Sequence, residues 1–116
     1  MRRTLSIIAM ATVVVASSMS LVPTRSAASE TGMASIHQWR KVGRKTCMAD
    51  HSHNGSGSGG TRAQAERSAI AHWADFTSLE YGSSWASFGN AIGKQMSCNG
   101  GSGWSCSLDA TPCRPW

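Results

Sequence analysis

Residues 61–82 read TRAQAERSAIAHWADFTSLEYG, and this stretch decides the fold. Thr61 followed by Gln64 is a capping box: the threonine hydroxyl accepts an amide proton of the first helical turn, and the glutamine side chain reaches back to the cap. Ala69, Ile70, Trp73, Phe76, Thr77 and Tyr81 then recur at the three-and-four spacing of one helical face. Arg67, Ala71, Asp75 and Ser78 point the other way. Gly82 supplies a natural stop, because glycine takes the conformations that end helices at little cost. One amphipathic helix of up to five turns is predicted.

Downstream, Trp85, Phe88, Ile92 and Met96 keep a helical spacing that Gly89 and Gly93 undercut. Each glycine costs about 1 kcal/mol relative to alanine inside a helix. The spacing therefore fits either a broken helix or an irregular loop that leads into a strand. Gln95 to Cys98 and Trp104 to Leu108 flank a run of Asn99, Gly100, Gly101, Ser102 and Gly103, which predicts two strands around a glycine-rich turn. Cys98 and Cys106 then lie opposite or diagonally opposite each other. Pro112, Cys113, Arg114 and Pro115 form an extended tail, and a disulfide at Cys113 would anchor it. The fold class expected is a small, disulfide-stapled α+β domain, with one long amphipathic helix packed on a short antiparallel hairpin.

Upstream of the helix, residues 51–60 read HSHNGSGSGG, a composition expected of a mobile linker or long loop. Between Glu30 and Asp50, Ile36, Trp39 and Val42 are spaced for a short helix or a strand. Before these lies an export signal: Arg2 and Arg3, a mostly apolar run from Leu5 to Val22, and small residues at Ser26, Ala27 and Ala28. Ser6, Thr12, Ser17, Ser18 and Ser20 make the run too polar for a comfortable membrane span. The organisation expected is a signal peptide over 1–28, a flexible basic segment and Gly/Ser/His linker over 29–60, and a small cysteine-containing domain over 61–116. The protein is expected to be periplasmic or secreted.

Export gives the cysteines a meaning. Cys47, Cys98, Cys106 and Cys113 all follow the signal, in a compartment where disulfides persist. Two bridges are expected, with three connectivities open. No C-x2-C pair supports a zinc reading of the thiols. A mature chain of 88 residues needs such staples, because so short a chain buries little apolar surface.

The chain has 116 residues and a formal net charge of +5. Removing Arg2, Arg3 and Arg25 with the signal leaves eight basic residues against six acidic ones, which is no footprint for nucleic acid. What remains is concentrated at Arg40, Lys41, Arg44 and Lys45, where it can meet an anionic envelope surface such as lipid headgroups or polysaccharide. A merely solvated face is the commoner use of such a run. Trp39 beside this cluster and Trp116 are expected to be exposed, whereas Trp73 and Trp85 sit in apolar patterns and belong to a core.

Ala69, Ile70, Trp73, Tyr81, Gly82, Trp85, Phe88, Ala91, Cys98, Cys106, Pro112 and Cys113 together form a W...YG..W..F..A...C...C...PC pattern over roughly Arg62 to Arg114. In this the chain resembles small exported proteins of soil and plant-associated alphaproteobacteria. The resemblance implies an independently folding exported module. It implies no substrate, cofactor or catalytic residue.

Candidate chemistry is sparse. His51 and His53, with Asp50 beside them, offer ligands to Cu(II), Ni(II) or Zn(II), although the glycine-serine run that follows gives them no rigid support. His72 and Asp75 lie one turn apart as a base and its orienting carboxylate would, but surface helices carry such pairs routinely. Glu66 and Glu80 are about 21 Å apart along one helix at 1.5 Å per residue, too far for a glycosidase pair. The leading expectation is a non-enzymatic binding or structural module that needs no cofactor and meets an anionic surface or another exported protein. Metal handling through His51 and His53 is the alternative. A small hydrolase or inhibitor, with active residues assembled only by folding, comes third.

Overall fold

The structure, a computed structural model, describes residues 32–116, so the expected signal peptide lies outside the described residues. The order of elements is α1 (Gly32–Ser35), β1 (Trp39–Val42), β2 (Lys45–Met48), β3 (His53–Gly59), α2 (Arg62–Tyr81), a short 3-10 turn (Ser83–Trp85), β4 (Ile92–Gly100), β5 (Trp104–Thr111) and β6 (Cys113–Arg114). The class is α+β, as the sequence predicts. Helix α2 starts at the predicted cap: Thr61 Oγ1 accepts from Gln64 N at 3.2 Å, and Gln64 Oε1 accepts from Thr61 N at 3.2 Å. Gly82 ends it at φ 97°, a value that favours glycine.

Two antiparallel sheets of three strands accompany the helix, one ordered β1-β2-β6 and the other β3-β5-β4. The predicted hairpin is β4–β5, with Cys98 directly opposite Cys106 and a disulfide between them. Cys47 is bonded to Cys113 and sits opposite it in the β2–β6 pair. This second bridge anchors the carboxy-terminal tail. Pro112, which has no N–H to donate, marks where the chain leaves β5 for the other sheet, and its carbonyl accepts from Met48 N at 3.0 Å.

Residues 53–59 correct the linker expectation, because they form β3, which pairs with β5 from His53↔Ala110 to Gly59↔Trp104. The linker reading failed because the inward positions of this strand are glycines. A Cβ at Gly55 would lie 2.8 Å from Trp73 Cβ, one at Gly57 would lie 2.5 Å from Ser68, and one at Gly59 would lie 2.6 Å from Gln64 Cβ. The absence of side chains lets α2 lie directly on the β3 backbone, with Ala65 and Ala69 buried between them. The proposed boundary at residue 60 therefore falls inside a packed helix–strand unit.

Helix α2 buries Ala65, Ala69, Trp73, Thr77 and Tyr81, a stripe with a period of four. Phe76 departs from the expected face and is exposed. One core gathers Ala65, Ala69, Trp73, Ala91, Cys106, Leu108 and Ala110, and Trp73 Nε1 donates to Ala110 O at 3.1 Å. A second, smaller core holds Ala34, Met48, Tyr81 and Trp85. The uncertain stretch after Gly82 is a 3-10 turn followed by turns, and β4 begins at Ile92. Gly93, at φ 61°, lies at the irregularity that shifts the β4 register between Ile92 and Gln95.

Candidate functional site

The small sheet presents the basic cluster. Strand β1 lies at the edge of that sheet, the chain turns through Gly43 at φ 61°, and β2 returns beside it. Residues 39–48 contain four basic residues and no acidic one. Arg40, Lys41 and Arg44 are exposed, whereas Lys45 is half-buried and donates its Nζ proton to Asn90 O at 3.1 Å. Three of the four predicted cations are therefore presented to solvent, and the fourth ties the hairpin to the loop before β4.

Aromatic residues border these cations. Trp39 is 37% exposed and Trp116 57% exposed. Both flank the Arg114 guanidinium, whose carbon lies 4.5 Å from the Trp39 ring centroid and 5.6 Å from that of Trp116, with buried Trp85 at 5.2 Å. Trp39 Nε1 donates to Ala34 O at 2.9 Å, and Thr46 Oγ1 donates to Trp116 O at 2.6 Å. Close to Trp39 in sequence, Ile36 is 73% exposed. From the sequence, Ile36 and Arg114 are read only as parts of a short element and of the tail, not as surface-binding residues. The pairing of β6 with β2 brings Arg114 to this surface, and no local pattern announces that pairing.

His37, His51 and His53 gather around Tyr81 at the carboxy-terminal end of α2, beside the small sheet. His53 is buried, with Nε2 2.8 Å from Glu80 Oε2 and Nδ1 2.9 Å from Thr77 Oγ1. The Thr77 hydroxyl also donates to Trp73 O at 2.7 Å. Burial pushes the His53 pKa below its ordinary value; Glu80 opposes that shift, and His51 and His37 add to it. With its single proton given to Trp73 O, the Thr77 oxygen accepts from His53 Nδ1, while Nε2 faces the Glu80 carboxylate. Tyr81 stacks on the His53 ring at 4.7 Å, and burial, with the neighbouring Glu80 adding to it, pushes the phenol up to about 12.

His51 has the His53 ring 5.7 Å away and a third imidazole nearer. Its ring lies 4.6 Å from that of His37, and these two imidazoles converge with Glu80. His37 and Glu80 are distant from His51 in sequence and escaped notice. The β1–β2 pairing brings the first close, and the last turn of α2 carries the second, one residue off its buried stripe. The remaining candidates separate: Glu66 pairs with Arg62 at 2.9 Å, and His72 Nδ1 accepts from Ser56 N at 3.0 Å, which covers the free edge of β3. No contact assembles His72 and Asp75 into a catalytic pair among the described residues.

The outer face of the larger sheet carries short polar side chains in three rows: Asn54, Asp109 and Gln95, then Ser56, Ser107 and Ser97, then Ser58, Ser105 and Asn99. A cleft of about 420 Å³ opens on it. Asp109 is already held by Ser52 and Asn54 at 3.0 and 2.9 Å, and the cleft's lining includes the His72 imidazole but no Trp, Tyr or Phe. Among the described residues no helix is long and apolar enough to cross a membrane. Compared with known proteins, the chain matches no protein-family model, no curated protein and no solved structure.

Proposed function

We propose that this chain is an exported, non-enzymatic module, periplasmic or secreted, that docks on an anionic membrane surface through the β1–β2 hairpin. The observation that carries the reading is the presentation of Arg40, Lys41 and Arg44 on an exposed edge hairpin free of acids, beside half-exposed Trp39 and Trp116. Cations draw the hairpin to anionic headgroups, while indole rings settle at the boundary between headgroup and acyl chain. Exposed Ile36 extends the apolar part of that contact. The two disulfides fit an oxidising compartment, and Cys47–Cys113 braces the hairpin by tying β2 to β6. A lipid surface suits this combination better than a polysaccharide, which would use the cations but not the aliphatic side chain.

Each Lys or Arg near an anionic bilayer contributes about 1 kcal/mol. Replacing Arg40, Lys41 and Arg44 by glutamine should therefore weaken binding about 100-fold. Co-sedimentation with phosphatidylglycerol-containing vesicles, with phosphatidylcholine vesicles as the control, measures this. The expected result is binding to the anionic vesicles that salt weakens and the triple variant loses. Equal binding by wild type and variant, or capture by an anionic polysaccharide but not by vesicles, would contradict the reading.

A further inference from the structure

We propose that His37, His51 and Glu80 form a binding site for one divalent transition cation of the zinc class, with His53 as the residue that positions Glu80. The site borders the docking surface, since His37 lies between Ile36 and Trp39 in the chain, but its affinity for a metal does not depend on that reading. One ligand atom from each of the three residues lies within 4.8 Å of the other two. A tetrahedral zinc ion with bonds of ~2.1 Å separates its donors by roughly 3.4 Å, so uptake requires the three to draw together by at most about 1.4 Å. Side-chain rotation supplies that movement without a change of backbone.

The backbone beneath the ligands is well tied. His37 follows α1 and donates its N–H to Ala34 O at 3.3 Å, while Ala49 N donates to Gln38 O at 2.8 Å and holds the His37 segment beside the His51 segment. The Cys47–Cys113 bridge fixes β2 just before that segment. Glu80 comes from the last turn of α2, which Gly82 closes with a hydrogen bond to Ser78 O at 2.9 Å. Three separate segments thus converge on one point, and each is independently restrained.

His53 explains why Glu80 is ready to bind. It is only 2% exposed, and its Nε2 lies 2.8 Å from Glu80 Oε2, which fixes the carboxylate beside the two imidazoles. Its Nδ1 rests on Thr77, so neither ring nitrogen is available as a ligand. Ligating carboxylates are typically oriented by such hydrogen bonds. The sequence pair His51 and His53 therefore divides into one ligand and one support.

The donor set selects the ion. Two imidazoles and a carboxylate suit zinc and its borderline neighbours, whereas calcium and magnesium favour oxygen ligands throughout. All four cysteines are in disulfides, so no thiolate competes. Three protein ligands leave a fourth position for water or for a donor on a bound molecule.

The test is titration of the folded, disulfide-bonded chain with zinc by calorimetry, with cobalt absorption reporting coordination. Saturation at one ion per chain is expected. His37→Ala, His51→Ala and Glu80→Gln should each weaken binding at least 10-fold, and His72→Ala should bind like wild type. His53→Gln should weaken binding 10–100-fold and alter the cobalt spectrum. Thr61→Ala destabilises the helix without touching the site, so it should leave the spectrum unchanged and separate positioning from simple loss of stability. Absence of saturable binding in the wild type, or unchanged affinity in both His37→Ala and Glu80→Gln, would overturn the site. Unchanged affinity and spectrum in His53→Gln would overturn the positioning role.

Discussion

Gly57→Ala tests the physical basis of the fold. The added Cβ would sit 2.5 Å from both the carbonyl carbon and the Cβ of Ser68, and it would also collide with the main-chain nitrogen of Ala69. Carbon atoms pack best at about 3.5–4.0 Å, so α2 must retreat from β3 by roughly 1 Å or tilt. Overpacking costs roughly 1–3 kcal/mol where the surroundings relax, and two of the three obstacles here are main-chain atoms. The upper end of that range applies. Alanine returns about 0.4–1 kcal/mol by restricting the unfolded chain, so the net loss should be about 2 kcal/mol. In a domain of this size that lowers Tm by roughly 8–16 °C. Gly101→Ala is the control, because nothing lies within 4 Å of its added Cβ. Its effect should stay within about 0.5 kcal/mol. Thermal melts followed by circular dichroism measure both. If Gly57→Ala melts with the wild type and with Gly101→Ala, the close approach of α2 to a glycine strand is not what organises the fold.

The two disulfides should differ in weight, since Cys47–Cys113 closes a separation of 66 residues and Cys98–Cys106 only 8. Chain-entropy arguments give losses of about 4 kcal/mol for Cys47→Ala with Cys113→Ala and about 2.5 kcal/mol for Cys98→Ala with Cys106→Ala, as urea unfolding of each double variant would show. Thr61→Ala removes the capping box and should cost about 1 kcal/mol in the same assay. In chelator, stability should fall as pH drops below about 6.5, because the unfolded chain then binds a proton that buried His53 resists with its lowered pKa. This contribution is present above the unfolded value and is lost on acidification. The groups facing His53 are Glu80, His51 and His37. A His53→Gln variant should show a shallower dependence between pH 7.5 and 5.5, and an equally steep one would contradict the assignment.

The parts of the fold legible in the sequence are those with local causes. Thr61 and Gln64 announce the start of α2 because a capping box lies within four residues, and Gly82 announces its end. The β4–β5 hairpin shows through its glycine turn, although it runs further in both directions than the sequence suggests. Strand β3 was hidden because its alternation sets glycine against serine or asparagine, and glycine registers as a linker until a helix is seen lying on it. Hairpin β1–β2 was hidden because neither strand alternates: β1 is mostly exposed, whereas β2 is buried from Thr46 to Met48. The sites divide in the same way. Arg40, Lys41 and Arg44 form a run visible in one dimension. Arg114 joins Trp39 only through the β2–β6 pairing, and His37 and Glu80 meet His51 only once three segments have converged.

The most direct measurement of the docking reading is an amide chemical-shift titration of the isotopically labelled protein with anionic bicelles. The account predicts shifts concentrated in residues 39–46 and 114–116, reversed by salt and absent with zwitterionic bicelles. Shifts confined to the polar outer face of β3, β5 and β4, or no shifts at all, would contradict it.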